Sequence, residues 1–304
     1  MAGMQEKVRA VLAGAETSLG QAVAATRPLD VEMEAVASEE FPAEDPQAIR
    51  EMLRSFRPDV VINTAMPFDP DAGPDADHDA MLAAATAWAR GASATKARLI
   101  QPSSVAVFAA QGFRAREAGE RPDATDDFGR ALLDVEREVT RRMGDAALIL
   151  RAGRLHAPVG DNRLTRDLEA LRSGDFEPPA RGPSASVVSA WSLAEFIWQA
   201  SRMGRAHGVL HWSDDSRVSP WDWLTTLARR ARALGLLDQD PEVEPAPAAA
   251  GQRAWQVLDL ERTRRLMFLN PRPWEAALED NLRRLQGGPE NARDAGRSHG
   301  QAQA

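Results

Sequence analysis

The chain has 304 residues, 43% hydrophobic and 27% charged, with a formal net charge of −8, the composition of an ordinary globular protein. No stretch approaches the ~20 apolar residues of a membrane helix, and the lack of cysteine excludes disulfides, thiolate metal sites and thiol nucleophiles. Basic residues are interspersed with acids, as in Glu136-Arg137-Glu138, so the concentrated positive face of a nucleic-acid binder is missing.

Strands and helices alternate through the first half. Val8 to Ala13 is a short apolar run ending at Gly14, and a helical stretch follows through Ala25. Val31 to Val36 predicts a partly exposed strand, Pro46 to Phe56 an amphipathic helix, and Asp59 to Asn63 a buried strand. An acidic Pro/Gly-rich loop, Phe68 to Asp77, leads into an Ala-rich helix from His78 to about Arg90. Ala97 to Gln101 predicts a strand ending in Pro102-Ser103-Ser104, Asp127 to Met143 a helix, and Ala147 to Arg151 a strand. This alternation predicts a doubly wound, Rossmann-like parallel α/β sheet over residues 1–155.

After Arg151 the rhythm changes. Gly174 to Ser186 is loop-like, helices are expected at Trp191–Arg202, Pro220–Leu234 and Pro273–Leu285, and Val209–Trp212 is a short strand. Asp240 to Gly251 is a Pro/Ala linker. Residues 156–286 thus predict a smaller mixed lobe, part of which crosses back to the sheet, and residues 287–304 a disordered tail. Polar Met1–Glu6 resembles no targeting segment, so a cytoplasmic location is expected.

In a dinucleotide fold the turn after the first strand presents helix N-terminal N–H groups to the pyrophosphate. Here the turn reads Gly14-Ala15-Glu16-Thr17-Ser18-Leu19-Gly20. Thr17 stands where a glycine would let the backbone approach phosphates, and Glu16 adds a negative charge where an anion should bind. Ser18 and Gln21 have the Ser-x-x-Gln spacing of a capping box, which would satisfy the N–H groups internally. Binding of NAD or NADP is expected to be weakened or lost. Ala37-Ser38-Glu39-Glu40 offers no basic residue for a 2′-phosphate, which favours NAD over NADP.

Over roughly residues 7 to 286 the chain resembles the dTDP-4-dehydrorhamnose reductase family of extended short-chain dehydrogenases. The resemblance rests on the Gly14–Gly20 turn with its GxxGxxG spacing and on Arg57-Pro58-Asp59-Val60-Val61-Ile62-Asn63-Thr64-Ala65, similar to RPDxxxNxAA. It rests also on Pro102-Ser103-Ser104-Val105-Ala106-Val107-Phe108, similar to STDYVF, and on Arg151 and the Gly208–Trp212 segment leading into Trp221. It implies a cofactor site built from Gly14, Glu16, Thr17, Ser18, Leu19, Gly20, Asn63 and Ala65. It also implies reduction of a keto-sugar nucleotide by NAD(P)H, with a Ser/Thr on the substrate oxygen, a Tyr proton donor, and a Lys four residues on.

Ser104 matches the Ser/Thr, but the Tyr position is Phe128 and the Lys position is Leu132. The chain contains no tyrosine at all, so no realignment supplies one. Loss of a general acid typically costs ~10²–10⁴ in rate. Phe128, Ala131, Leu132, Val135, Val139 and Met143 fall on one helical face, which reads as packing surface. The GxPT and RPxxSxL segments of the family fall on Ser184–Val188 and Gln252–Leu258 without matching, which puts the sugar-nucleotide substrate in question as well.

His156, past the Ala147–Arg151 strand, is the one candidate for a replacement proton donor; the plainer reading is a loop histidine. His78, His207 and His211 lack metal-ligand spacing, so no metal is expected. Seven of the eight tryptophans lie after Ala190; a Trp-rich core of the second lobe accounts for most, with Trp221 and Trp223 as candidate ligand-stacking faces. The leading expectation is a catalytically degenerate relative that binds a nucleotide, a nucleotide-sugar, a protein partner or a second copy of itself. The alternatives are an NAD(P)-dependent reductase or epimerase using Ser104 with His156 or a water chain, and a dinucleotide-sensing regulator. No nucleic-acid or membrane partner is expected.

Overall fold

The computed structural model describes residues 7–70, 77–239, 241–246 and 255–287. Six parallel strands form one sheet: β1 (Val8–Ala13), β2 (Val31–Val36), β3 (Val60–Asn63), β4 (Arg98–Ser104), β5 (Ala147–Ala152) and, returning late in the chain, β9 (Gly208–Trp212). Their order is β2-β1-β3-β4-β5-β9, with register running from Val8 opposite Val31 at one side to Ala152 opposite Trp212 at the other. The chain starts in the middle and winds outward in both directions, so the carboxyl ends of β1 and β3 open a crevice where the winding reverses.

Burial follows position in the sheet. Central β3 is buried throughout, whereas β2 at the edge buries only Val31 and Val36 fully. Strand β4 runs two residues past the Pro102 that was expected to end it. Its register with β3 stops at Ile100, and beyond that it pairs with β5 alone, an edge-like setting in which a proline without N–H is tolerated.

Helices cover both faces. Helix α1 (Ser18–Ala25) packs with α6 (Ala190–Ser201), while α2 (Pro46–Phe56), α3 (His78–Thr95) and α4 (Asp127–Met143) pack side by side. In α4 the side chain of Asp126 accepts from Gly129 N at 2.7 Å and caps the helix. The apolar stripe of α4 is buried, with Leu132, Val135 and Val139 all fully so. Helix α3 extends to Thr95, five residues beyond its expected end, and closes with Lys96 in the left-handed region.

The remaining elements are β6 (Arg154–His156), α5 (Arg163–Ser173), β7 (Ser184–Ala185), β8 (Val187–Ser189), α7 (Pro220–Ala233), β10 (Trp255–Gln256), α8 (Glu261–Met267) and α9 (Trp274–Gln286). A second apolar core gathers Leu164 and Leu168 of α5, Trp223 and Leu227 of α7, and Trp274, Leu278 and Leu282 of α9. The tryptophans divide between the two cores. Trp191, Trp198 and Trp212 belong to the sheet core, not to the second one as composition suggested; α6 and β9 carry them back across the sheet. The expected tail falls beyond Gly287, and part of the Phe68–Asp77 loop and of the Pro/Ala linker likewise lies outside the described residues.

Candidate functional site

The turn after β1 is built by close approach. Gly14 has φ +77°, and a Cβ there would lie 2.5 Å from the Ala65 backbone; a Cβ on Gly20 would overlap the Gly14 carbonyl oxygen. The two glycines therefore draw the α1 N-terminus onto the crevice between β1 and β3. Thr64 Oγ1 donates to Ala13 O and Gly14 O at 2.7 and 2.9 Å. Asn63 donates to Gln101 Oε1 at 2.8 Å and accepts from Ala65 N at 3.3 Å.

Within this turn the polar side chains bond to the protein itself. Thr17, not Ser18, is the N-cap: its Oγ1 accepts from Gly20 N and donates to Gly14 O, both at 2.9 Å. The expected Ser18–Gln21 capping box does not form, because the helix starts one residue earlier than that motif requires, with Ser18 already inside it. Gln21 instead donates to Glu16 O, and Ser18 Oγ donates to Val159 O at 2.8 Å. Gly160 lies against the Ser18 hydroxyl, where a Cβ would stand 2.5 Å from Oγ. Glu16 reaches over to the segment after β2 and accepts from Ser38 Oγ at 2.6 Å. Leu19 is buried at 1% exposure in the sheet core.

Ser104, at the end of β4, is 1% exposed, and its Oγ accepts from Ala106 N at 3.2 Å. Helix α4 packs on the 3₁₀ turn Val105–Val107 that follows, which brings Phe128 and Leu132 to this end of the sheet. Phe128 is half-buried against the core and Leu132 is fully inside it. Beneath them lies a buried polar chain: Ser103 Oγ donates to Glu136 Oε1 at 2.6 Å, and Arg151 binds Glu136 through Nε and Nη2 at 2.9 and 2.7 Å.

His156 is not a loop residue. It ends β6 opposite Ser189 of β8, is 1% exposed, and has its Nδ1 2.9 Å from Asn281 Nδ2 and its ring 5.2 Å from that of Trp223. Its contacts are with the second core rather than with Ser104. Burial, aided by the charge of Arg163, pushes its pKa down to about 3. Asp214, whose Oδ2 lies 3.8 Å from His156 Nε2, is pushed up to about 7 by burial. Between those values both are uncharged, as a dry site demands. His211, inside β9, is held down to about 3 in the same way, by burial and then by Arg151.

The sequence reading missed a cleft of about 620 Å³ between the sheet domain and the second core, lined by Pro70, Arg154, Arg163, Arg166, Asp167 and Gln256 among others. Arg154 Nη2 donates to Gln256 Oε1 at 3.1 Å. Arg163 lies over the Trp223 ring at 5.0 Å, and Trp223, fully buried, donates its Nε1 proton to Asp167 at 2.7 Å. Trp221 is half-buried beneath Arg181, 4.2 Å from its ring. Two signals could have revealed this cleft's wall: Asn162 as a cap, and Leu164, Leu168 and Leu171 at helical spacing. Three arginines around one opening favour a multiply charged oxyanion such as a diphosphate. No group of three or more His, Cys, Asp or Glu residues able to hold a metal occurs among the described residues. No helix among them is long and apolar enough to cross a membrane.

A doubly wound parallel sheet with a glycine turn at its winding reversal and an open cleft over a second core defines an extended short-chain dehydrogenase/reductase fold. The comparisons agree. Residues 8–286 match the RmlD substrate binding domain model, and the chain belongs to that family. It is similar in fold to dTDP-4-dehydrorhamnose reductase from Bacillus anthracis in complex with NADP, with TM-score 0.78, 18% identity, and 90% of this chain and 97% of that one covered. It is also similar to Thermus thermophilus UDP-glucose 4-epimerase in complex with NAD (TM-score 0.74, 15% identity, 93% and 100% covered). A third likeness is to the Bordetella bronchiseptica enzyme WbmG in complex with NAD and UDP (TM-score 0.72, 13% identity, 93% and 95% covered). No curated protein matches it by sequence.

Proposed function

We propose that this chain is a catalytically degenerate family member that binds an anionic nucleotide or nucleotide-sugar in the Arg154–Arg163–Arg166 cleft without turning it over. The observation that carries the reading is the pair Phe128 and Leu132 at the positions of the proton donor and its cationic helper, in a chain without a single tyrosine. Phenylalanine has no transferable proton. Leucine at 0% exposure leaves no room for an ammonium group. Ser104 remains, but a hydroxyl that positions a carbonyl does not protonate it. His156, neutral and locked to Asn281, is a structural residue of the second core.

The cofactor turn supports the same reading. A pyrophosphate needs N–H groups directed at it and no competing negative charge. Here the Gly20 N–H is taken by Thr17, and Ser18 is tied to the Val159–Gly160 segment. The Glu16 carboxylate spans to Ser38, where the ribose of a dinucleotide would lie. The turn does not fit the cofactor that the similar structures hold. The cleft is open and carries three guanidinium groups, two of them in ion pairs at 3.3 Å, Arg163 with Asp167 and Arg166 with Asp161. UDP in the WbmG complex is the kind of diphosphate such groups recognise.

Titrating NADH and NADPH into the wild-type chain and into a Glu16→Ala/Thr17→Gly variant tests the turn. Glycine is tolerated at a helix N-cap, so the variant keeps its fold. The wild type is expected to bind weakly and the variant at least about tenfold more tightly, ~1.4 kcal/mol. Micromolar binding by the wild type, or no gain in the variant, would show that these side chains do not close the site.

A further inference from the structure

A second cationic cleft lies apart from the one above, on the outer side of α4. It encloses about 550 Å³ and is lined by Arg121, Pro122, Leu133, Glu136, Arg137, Thr140, Arg141 and Arg151. We propose that it is a binding site for a small phosphate ester, with the phosphate held by guanidinium groups and the organic part resting on Pro122 and Leu133.

Four guanidinium groups and one carboxylate line this opening, in a chain whose net charge is −8. The carboxylate is already engaged, since Glu136 accepts from both Ser103 and Arg151. The Arg151 side chain is 5% exposed, its Nη1 is buried without a hydrogen-bond partner, and its guanidinium carbon lies 5.2 Å from the centre of the Phe108 ring. A buried N–H donor normally has an acceptor, and one left without it in the wall of a cleft calls for an explanation. A bound oxyanion would supply the missing acceptor.

The rim is built to adapt. Arg121, Arg137 and Arg141 are exposed. Arg137 and Arg141 pair with Asp134 and Glu138 only across a single turn of α4, at 3.0 and 2.9 Å. The Arg137–Asp134 pair is of the exposed kind that contributes little and exchanges readily, so Arg137 can swing onto a phosphate, to which arginine binds through two parallel N–H bonds, while Arg141, held by both oxygens of the part-buried Glu138, adds its charge in place. Thr140 adds a hydroxyl. The volume far exceeds that of a bare phosphate, and the half-buried Leu133 and Pro122 give it an apolar wall; together these point to an ester rather than the inorganic ion. The proposal does not depend on the function proposed above.

Isothermal titration calorimetry with inorganic phosphate, pyrophosphate and ribose 5-phosphate tests it on the full chain. The variants are Arg121→Ala/Arg137→Ala at this cleft and Arg163→Ala/Arg166→Ala at the other, with circular dichroism confirming that each folds. The expected result is ribose 5-phosphate binding tighter than inorganic phosphate, weakened at least tenfold in the first variant and unchanged in the second. Equal affinity in the wild type and the first variant would overturn the site, as would loss confined to the second variant. Ribose 5-phosphate binding no tighter than inorganic phosphate would overturn the assignment of an ester.

Discussion

Glu136→Gln is expected to destabilise the chain by about 3–5 kcal/mol, the cost of leaving a buried charge without its partner. Glu136 and Arg151 are 6% and 4% exposed, so water reaches little of the orphaned guanidinium. Ser103 also loses its charged acceptor. The cost arises from the broken pair rather than from any large net gain in having the pair, so removing both charges is the decisive comparison. A Glu136→Leu/Arg151→Met double variant is expected to recover most of the loss, because apolar side chains of similar volume replace buried ion pairs at little cost. Chemical denaturation of the three proteins checks this. A Glu136→Gln variant within about 1 kcal/mol of wild type would mean that the pair is effectively solvated.

Leu132→Lys is the second large effect, and it tests the proposal that the position of the family's lysine is now packing surface. At 0% exposure Leu132 sits in the sheet core with Ala131, Val135 and Val139 around the same helical face. An ammonium group there must be desolvated or give up its proton. The expected cost is about 3–4 kcal/mol, in the range of substitutions that bury an unpaired charge. That corresponds to a fall in Tm of roughly 10 °C at this chain length. Leu132→Met, which conserves volume, should cost less than about 1.5 kcal/mol. Thermal unfolding that left the lysine variant within a degree or two of wild type would reveal a polar pocket at that position, one still able to host the lost cation.

The alternating strands and helices of the first half were legible because each carries its own period and punctuation. Val8 to Ala13 ends at a glycine, Pro46 opens α2 behind the Asp45 cap, and the α4 stripe repeats every three or four residues. The second half was harder for physical reasons. Strands β6 and β8 are three residues long, too short to show alternation, and they exist because they pair with each other. Helix α5 has a clear apolar spacing, but no helix was expected between Arg151 and Gly174, where Gly153, Pro158 and Gly160 interrupt the approach to it.

The candidate site was legible in part. The positions of Gly14, Thr17, Ser104, Phe128 and Leu132 follow from local motifs, whereas the reach of Glu16 to Ser38 and of Ser18 to Val159 spans 22 and 141 residues. Such long-range closure leaves no trace in a local pattern. The cleft arginines are local by contrast: Arg163 and Arg166 lie one turn apart on α5, close after Arg154, and were missed because α5 itself was not expected. The assignment of Thr17 rather than Ser18 as the cap turned on a one-residue difference in where α1 begins, which either hydroxyl could have served.

The central claim is that a chain with Phe128 and Leu132 in place of a phenol and its cation does not carry out the family's reduction. Purified protein incubated with NADPH and dTDP-4-dehydrorhamnose, followed by absorbance of the reduced nicotinamide, tests this most directly. The account predicts consumption at least ~10²-fold below an ordinary enzymatic rate, the least that loss of a general acid costs. Oxidation at several turnovers per second, within the usual enzymatic range, would contradict it.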